Sequence, residues 1–180
     1  GLKNILLNKK PYHSVGIRYV LTKRSYPYIK EFLRLARQDF PGVDRIVFVF
    51  WEVENEAWNN SKSLDVSYTD VFPYLQGIIP LIQEFTEIKL YHFPLCAVPK
   101  ELWPQVWRTL PEDEVIFTES CQKCLYKDLC LGIPDTYYKY RQESQLLNNK
   151  EIEPIKKEIP IEKDQYNPYH HPINKVLFGY

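Results

Sequence analysis

Apolar positions recur with two periods along residues 1–95. SVGIRYVLTK (14–23) is apolar and β-branched, the pattern of a strand. PYIKEFLRLARQDF (27–40) places Ile29, Phe32, Leu33, Ala36 and Phe40 on one side of a helix, with Pro27 near the start, where a missing N–H costs nothing. RIVFVFWE (45–52) is a near-continuous apolar run, as a strand buried on both faces of a parallel sheet requires. YTDVFPYLQGIIPLIQEF (68–85) predicts a second helix presenting Val71, Leu75, Ile78, Ile79 and Ile82, with Asp70 as N-cap and Pro80 kinking or splitting it. EIKLYHFP (87–94) predicts a third strand, ending just before Cys96.

Strand, helix, strand, helix, strand at this spacing implies βαβ crossovers and a parallel sheet. Three strands leave such a sheet with bare edges. Further strands are therefore expected on the N-terminal side, from preceding sequence or from a partner chain. Past Cys96 the pattern changes. Residues 99–114 read as a short helix broken by Pro104, the cysteine-rich stretch as irregular chain, and 135–147 as a closing helix. Residues 148–180 read as an extended tail able to dock through Tyr166, Tyr169, Val176, Leu177 and Phe178. No internal repeat is visible.

Composition adds limits. Lys and Arg number 23 against 23 Asp and Glu, so the balance offers no footprint for a nucleic-acid backbone or an anionic membrane. No apolar run approaches the roughly 18 residues that span a bilayer, and no basic-then-apolar leader opens the chain. The expectation is a cytoplasmic protein with neither nucleic acid nor membrane as partner. There is no methionine, and GLKNILLNKK at the start reads as the end of a helix. A fragment of a longer protein, or one part of a split one, is expected.

The four cysteines fall in the pattern C-x24-C-x2-C-x5-C, at Cys96, Cys121, Cys124 and Cys130. A disulfide framework suits small secreted domains, and this alternating core needs no staples. Cys96 alone would read as a buried structural thiol, but three thiols in ten positions beside Gly132 and Pro134 point to ligation. In C-x2-C two thiolates can converge while the backbone between them turns N–H groups toward sulfur. Cys130 joins through its short loop, and Cys96 closes the set from the end of the third strand. Four thiolates suit structural zinc or an iron–sulfur cluster, and ligand identity alone does not separate the two.

The α/β repeat ending in FPLC (93–96), followed by CQKCLYKDLCLGIP, resembles the C-terminal half of radical S-adenosylmethionine (SAM) enzymes with a SPASM or twitch extension. The resemblance spans about residues 1–140, and RYVLTKRSYPYIKEFLRLA looks like that family's fourth strand and helix. It implies an α/β fold: the C-terminal half of a partial (β/α)6 barrel over 1–95. A four-cysteine module over 96–147 and the tail over 148–180 would follow. The three strands become the fourth, fifth and sixth of the barrel. Cys121, Cys124 and Cys130 match the centre of the SPASM motif, and Cys96 the position of the extension's first ligand, together holding an auxiliary [4Fe–4S] cluster. A set of four is closer to the shorter twitch type. The family's C-x3-C-x2-C loop, which carries the SAM-binding cluster, has no counterpart here. SAM cleavage to a 5′-deoxyadenosyl radical would then need the N-terminal half of the barrel, in the same product or a separate chain. Substrates in this group are often peptides or proteins undergoing modification or maturation. The rival reading is a non-catalytic module in which the same cysteines bind Zn2+ and the α/β part serves protein interaction. A degenerate or split half that completes a partner's barrel is a third.

Other candidates sit at the C-terminal ends of the strands, where α/β barrels place their chemistry. Arg18 and Thr22 lie at i and i+4 on the first strand, on one face, and Glu52 and Glu54 follow the second beside Trp51. His92 ends the third. Arg18, Thr22, Glu52 and His92 are the candidates for the SAM and substrate side. Each has a plain alternative: a snorkelling Arg, loop carboxylates, a satisfied core histidine. His170 and His171 point apart on extended chain and read as a surface pair. No Ser–His–Asp order, phosphate-cradling glycine loop or H-E-x-x-H stretch is present.

Overall fold

The computed structural model describes residues 1–148 and 151–159. Its centre is a parallel four-stranded sheet. After a short helix α1 (Leu2–Leu7), the order is β1 (Gly16–Leu21), α2 (Ile29–Asp39), β2 (Arg45–Phe50), two short helices α3 (Asn55–Asn59) and α4 (Ser61–Leu64), α5 (Tyr68–Ile78), then β3 (Ile88–Tyr91) and β4 (Val106–Trp107). The sheet order is β1-β2-β3-β4, all parallel. A small antiparallel pair, β5 (Val115–Ile116) with β6 (Ile133–Pro134), and a closing helix α6 (Asp135–Glu143) follow. Among the described residues, no helix is long and apolar enough to cross a membrane.

The expected strand–helix alternation is present, with two differences. Ser67, not Asp70, caps α5: its hydroxyl accepts from the Asp70 N–H, while the Asp70 carboxylate accepts from the Ser67 N–H. Asp70 thus occupies the third helical position of a capping box. The α-helical ladder stops at Ile78 and a 3-10 stretch, Ile79–Glu84, carries Pro80, whose ring prevents continuation. Residues 99–114 depart further from the helix expected there. A 3-10 turn, Lys100–Gln105, takes up Pro104 and buries Trp103, whose Nε1 lies 3.1 Å from both the Leu95 and Val98 carbonyl oxygens. The chain then extends and pairs Val106 with Leu90 and Trp107 with Tyr91. The edge of β3 is thereby covered, and β1 is left as the outer strand without a partner on its far side among the described residues.

Alternation within the strands divides the sheet into two different faces. Tyr19, Leu21, Ile46, Phe48, Phe50 and Leu90 face α2 and α5, in a core that continues through Leu131, Ile133, Tyr137 and Ile152. The cysteine-bearing segment therefore shares its core with the sheet. On the second face Val47, Val49 and Tyr91 form a separate small cluster with Trp107. Arg18 lies over the Tyr91 ring at 5.8 Å and Lys89 over Trp107 at 3.7 Å, so two long cations lie across this face. Lys89 is buried, and its ammonium meets Glu87 at 2.8 Å. Docking residues expected in the tail, Tyr166, Tyr169, Val176, Leu177 and Phe178, lie outside the described residues, as do His170 and His171.

Replacing Ser67 by Ala removes one half of the capping box. A loss of about 1 kcal/mol is expected, measured as a fall in the thermal midpoint of roughly 2–4 °C; an unchanged midpoint would show that α5 does not depend on this cap.

Candidate functional site

The four cysteines come from two stretches of chain and line a single pocket. Cys96 sits in the 3-10 turn Leu95–Ala97, directly after β3 and its exit through Pro94. Cys121 lies in the turn Glu119–Lys123, Cys124 ends it, and Cys130 follows the turn Lys127–Leu129. Short turns of this kind suit a stretch that must present side chains inward without forming a helix. Gly132 completes the geometry. Its φ is +79°, and a Cβ there would meet the Val115 Cβ at 3.1 Å and the Ile116 carbonyl oxygen at 3.2 Å. Only glycine fits so close an approach at that φ.

All four thiols are free and half-buried. Cys130 Sγ accepts from the Leu95 N–H at 3.4 Å and from the Gly132 N–H. Cys121 Sγ lies 3.3 Å from the Thr118 hydroxyl. Burial, and then the neighbouring sulfurs of Cys130, Cys121 and Cys124, push the Cys96 thiol well above its ordinary range. Burial also raises Cys130, against the two backbone N–H groups that favour its thiolate. Unliganded, Cys96 and Cys130 hold their protons, and a bound cation would have to displace them.

The donor set is thus four sulfurs around one space. Among the described residues, no group of three or more His, Cys, Asp or Glu is placed to hold a metal ion. By donor type the four thiols, with N–H groups on Cys130 Sγ, suit a [4Fe–4S] cluster or zinc, and the rest of the pocket is lined by Pro94, Leu95, Phe117, Ile133, Lys127 and Glu153 among others.

A second, small pocket lies past the C-terminal ends of β3 and β4 and shares Gly132 with the first. His92, Arg108 and Thr109 are among its lining residues. The Thr109 hydroxyl is buried with no hydrogen-bond partner among the described residues. His92 has φ +67°, a left-handed conformation unusual for a non-glycine residue and a mark of local strain. Its Nδ1 lies 3.3 Å from the Phe50 carbonyl oxygen and 3.1 Å from Glu52 Oε1. Both are acceptors, so the neutral ring carries its proton on Nδ1 and leaves Nε2 an acceptor. Burial depresses the His92 pKa to about 4, so this contact is no ion pair at neutral pH. Glu52 is itself raised, first by burial, with Arg18 opposing.

Glu52 and His92 therefore meet, with the charge of Arg18 close enough to act on both. Thr22 is not part of this group. β1 ends at Leu21, so the expected i,i+4 face with Arg18 does not form. Instead the Thr22 hydroxyl lies 3.1 Å from that of Ser25, in the turn leaving the strand. Trp51 is buried and donates to the Val66 carbonyl, while Glu54 occupies the N-cap position of α3.

Two features are absent from the sequence-based site. Tyr68 stacks on Phe50 at 3.9 Å and donates to the His92 carbonyl at 2.9 Å, just upstream of Cys96. The fully buried Glu151 accepts from the Tyr68 N–H at 3.0 Å and from the Tyr137 hydroxyl, and Arg141 Nη2 approaches it at 3.3 Å. A carboxylate in a Lys/Glu-rich tail carries no local signal of burial, since its partners lie on distant elements.

His92 sets a pH dependence. Its pKa is lower folded than unfolded, so the unfolded chain takes up the proton first as pH falls. The stability contributed by the neutral ring is fully present above about pH 6.5 and is lost toward pH 4, up to about 3 kcal/mol. Urea midpoints measured from pH 7 to 4 should fall more steeply for the native chain than for His92→Asn, which tolerates the left-handed backbone; parallel curves would mean His92 is not buried as the neutral form. Compared with known protein families, curated proteins and solved structures, the chain matches none.

Proposed function

We propose that this chain is the C-terminal part of a radical SAM enzyme, whose Cys96, Cys121, Cys124 and Cys130 hold an auxiliary [4Fe–4S] cluster. The observation that carries the reading is the convergence of all four cysteines on one pocket directly beyond a parallel strand. The sheet supports it too. Strands in sequential order, with α2 and α5 packed against one face, follow the winding of a (β/α) barrel. A doubly wound sheet reverses its order and covers both faces. The uncovered edge of β1 and the face bearing Arg18, Val47, Val49 and Tyr91 are then the surfaces that the N-terminal half of the barrel completes. That half also supplies the C-x3-C-x2-C loop.

Bound here, the cluster supplies one-electron transfer or an anchor for substrate. The protein's own contribution is specific. The Leu95 and Gly132 N–H groups offset negative charge on Cys130. Across Gly132, neutral His92 offers an acceptor and Thr109 an unpaired hydroxyl to a group entering from the strand ends. A peptide or protein segment has both the N–H and the carbonyl groups that such a pair would meet.

Oxygen-free preparation followed by iron, sulfide and zinc analysis tests the reading. Brown protein with about four iron and four sulfide per chain is the expected result; colourless protein with stoichiometric zinc would replace it with the zinc-binding interaction module. Cys124→Ala should lose most of its metal and become protease-sensitive within 96–134 while the sheet stays folded. Identical cleavage patterns with and without the substitution would argue that no metal organises this segment.

A further inference from the structure

Residues 151–159 run back over the cysteine pocket as an extended strap. Ile152, Glu153 and Pro154 line that pocket directly. No cysteine lies in this stretch, and no regular helix or strand forms there, yet both of its ends are pinned to the fold.

At the near end, Glu151 accepts from the Tyr68 N–H and the Tyr137 hydroxyl and pairs with Arg141, which also grips Asp65 at 3.0 and 3.1 Å. A carboxylate buried this deeply is stable only because each oxygen has donors. In the middle, the Leu125 N–H donates to the Ile155 carbonyl at 2.9 Å, tying the strap to the loop between Cys124 and Cys130. At the far end, the Tyr126 hydroxyl donates to the Ile159 carbonyl at 2.8 Å and accepts from the Ile159 N–H at 2.6 Å. The Tyr126 ring stays anchored by an edge contact to Trp103 at 5.0 Å.

We infer that this strap is the outer wall of the cysteine pocket, that Glu151 is the positioning residue that holds it shut, and that its opening sets how fast the metal group enters and leaves. The inference rests on the proposed metal-binding role of the four cysteines. The remaining walls belong to the two segments that carry the ligands, 94–96 and 117–133, and cannot move without moving the ligands. The strap supplies no sulfur, so it can lift while the four ligands stay in place. Besides these hydrogen bonds the strap is held by Ile152, buried in the shared core, and by Ile155 and Ile159 packed against it, so its opening is a local event that exposes three isoleucines and no ligand.

The test uses the full chain, loaded under anaerobic conditions, and follows capture of its metal by an excess of chelator at 25 °C. Three variants are compared with the native chain: Glu151→Gln, Tyr126→Phe, and Tyr19→Phe, which removes a hydroxyl bond to the Ser25 carbonyl away from the pocket. Glu151→Gln should speed release roughly tenfold, because a charge-assisted pairing is lost, and Tyr126→Phe about fivefold. Tyr19→Phe should leave the rate unchanged. Tyr126→Phe keeps its ring packing, so it reports on the strap even if Glu151→Gln folds poorly. Equal release rates for the native chain, Tyr126→Phe and Tyr19→Phe would overturn the strap's role while leaving metal binding intact. A native chain that takes up neither iron and sulfide nor zinc would overturn the metal-binding reading, and the strap's role with it.

Discussion

Sulfurs carried on two separate stretches of chain can share one pocket only if the exit of β3 and the loop at 121–134 are held in fixed register. A buried aromatic junction does this. Phe50, at the end of β2, stacks on Tyr68 at the start of α5, and both meet Phe93 and Tyr137. Tyr137 sits on α6, one turn after β6, and so brings the segment following Cys130 against the sheet. Rings of this size dominate a core's energetics, and edge-to-face contacts fix angles as well as distances. Tyr68 adds direction: its hydroxyl fixes the His92 carbonyl, four residues before Cys96.

Burial governs the electrostatics of this region. It makes the thiolates of Cys96 and Cys130 costly unless a cation or an N–H group compensates. His92 answers to the same burial, which keeps its ring neutral although a carboxylate stands 3.1 Å away. Desolvation outweighs pairing there, leaving an acceptor nitrogen beside the second pocket.

Much of the sheet was legible from the chain alone, because fully buried parallel strands and amphipathic helices announce themselves through the spacing of apolar residues. RIVFVF is a strand because every second residue meets the helices and the others meet the opposite face; no polar residue could serve at Phe48 or Phe50. β4 was not legible. Two residues, Val106 and Trp107, carry no period, and only the exposed edge of β3 makes a strand of them. The cysteines declared themselves as a set by type and spacing, whereas the placement of Arg18, Glu52 and His92 depended on where each strand ended. Thr22 shows the limit, since β1 stops one residue short of it.

The sequence by itself determined the strand–helix alternation over 14–94, the stop of α5 before Pro80, and the grouping of four cysteines by spacing, because these follow from local periodicity, prolines and residue type. Tertiary structure alone decided that the sulfurs face one pocket, that His92 is neutral and strained, and that Glu151, from a stretch rich in Lys and Glu, lies buried against Tyr68 and Tyr137. Burial and pairing are properties of what surrounds a residue, and here those surroundings come from elements 10 to 83 positions away along the chain.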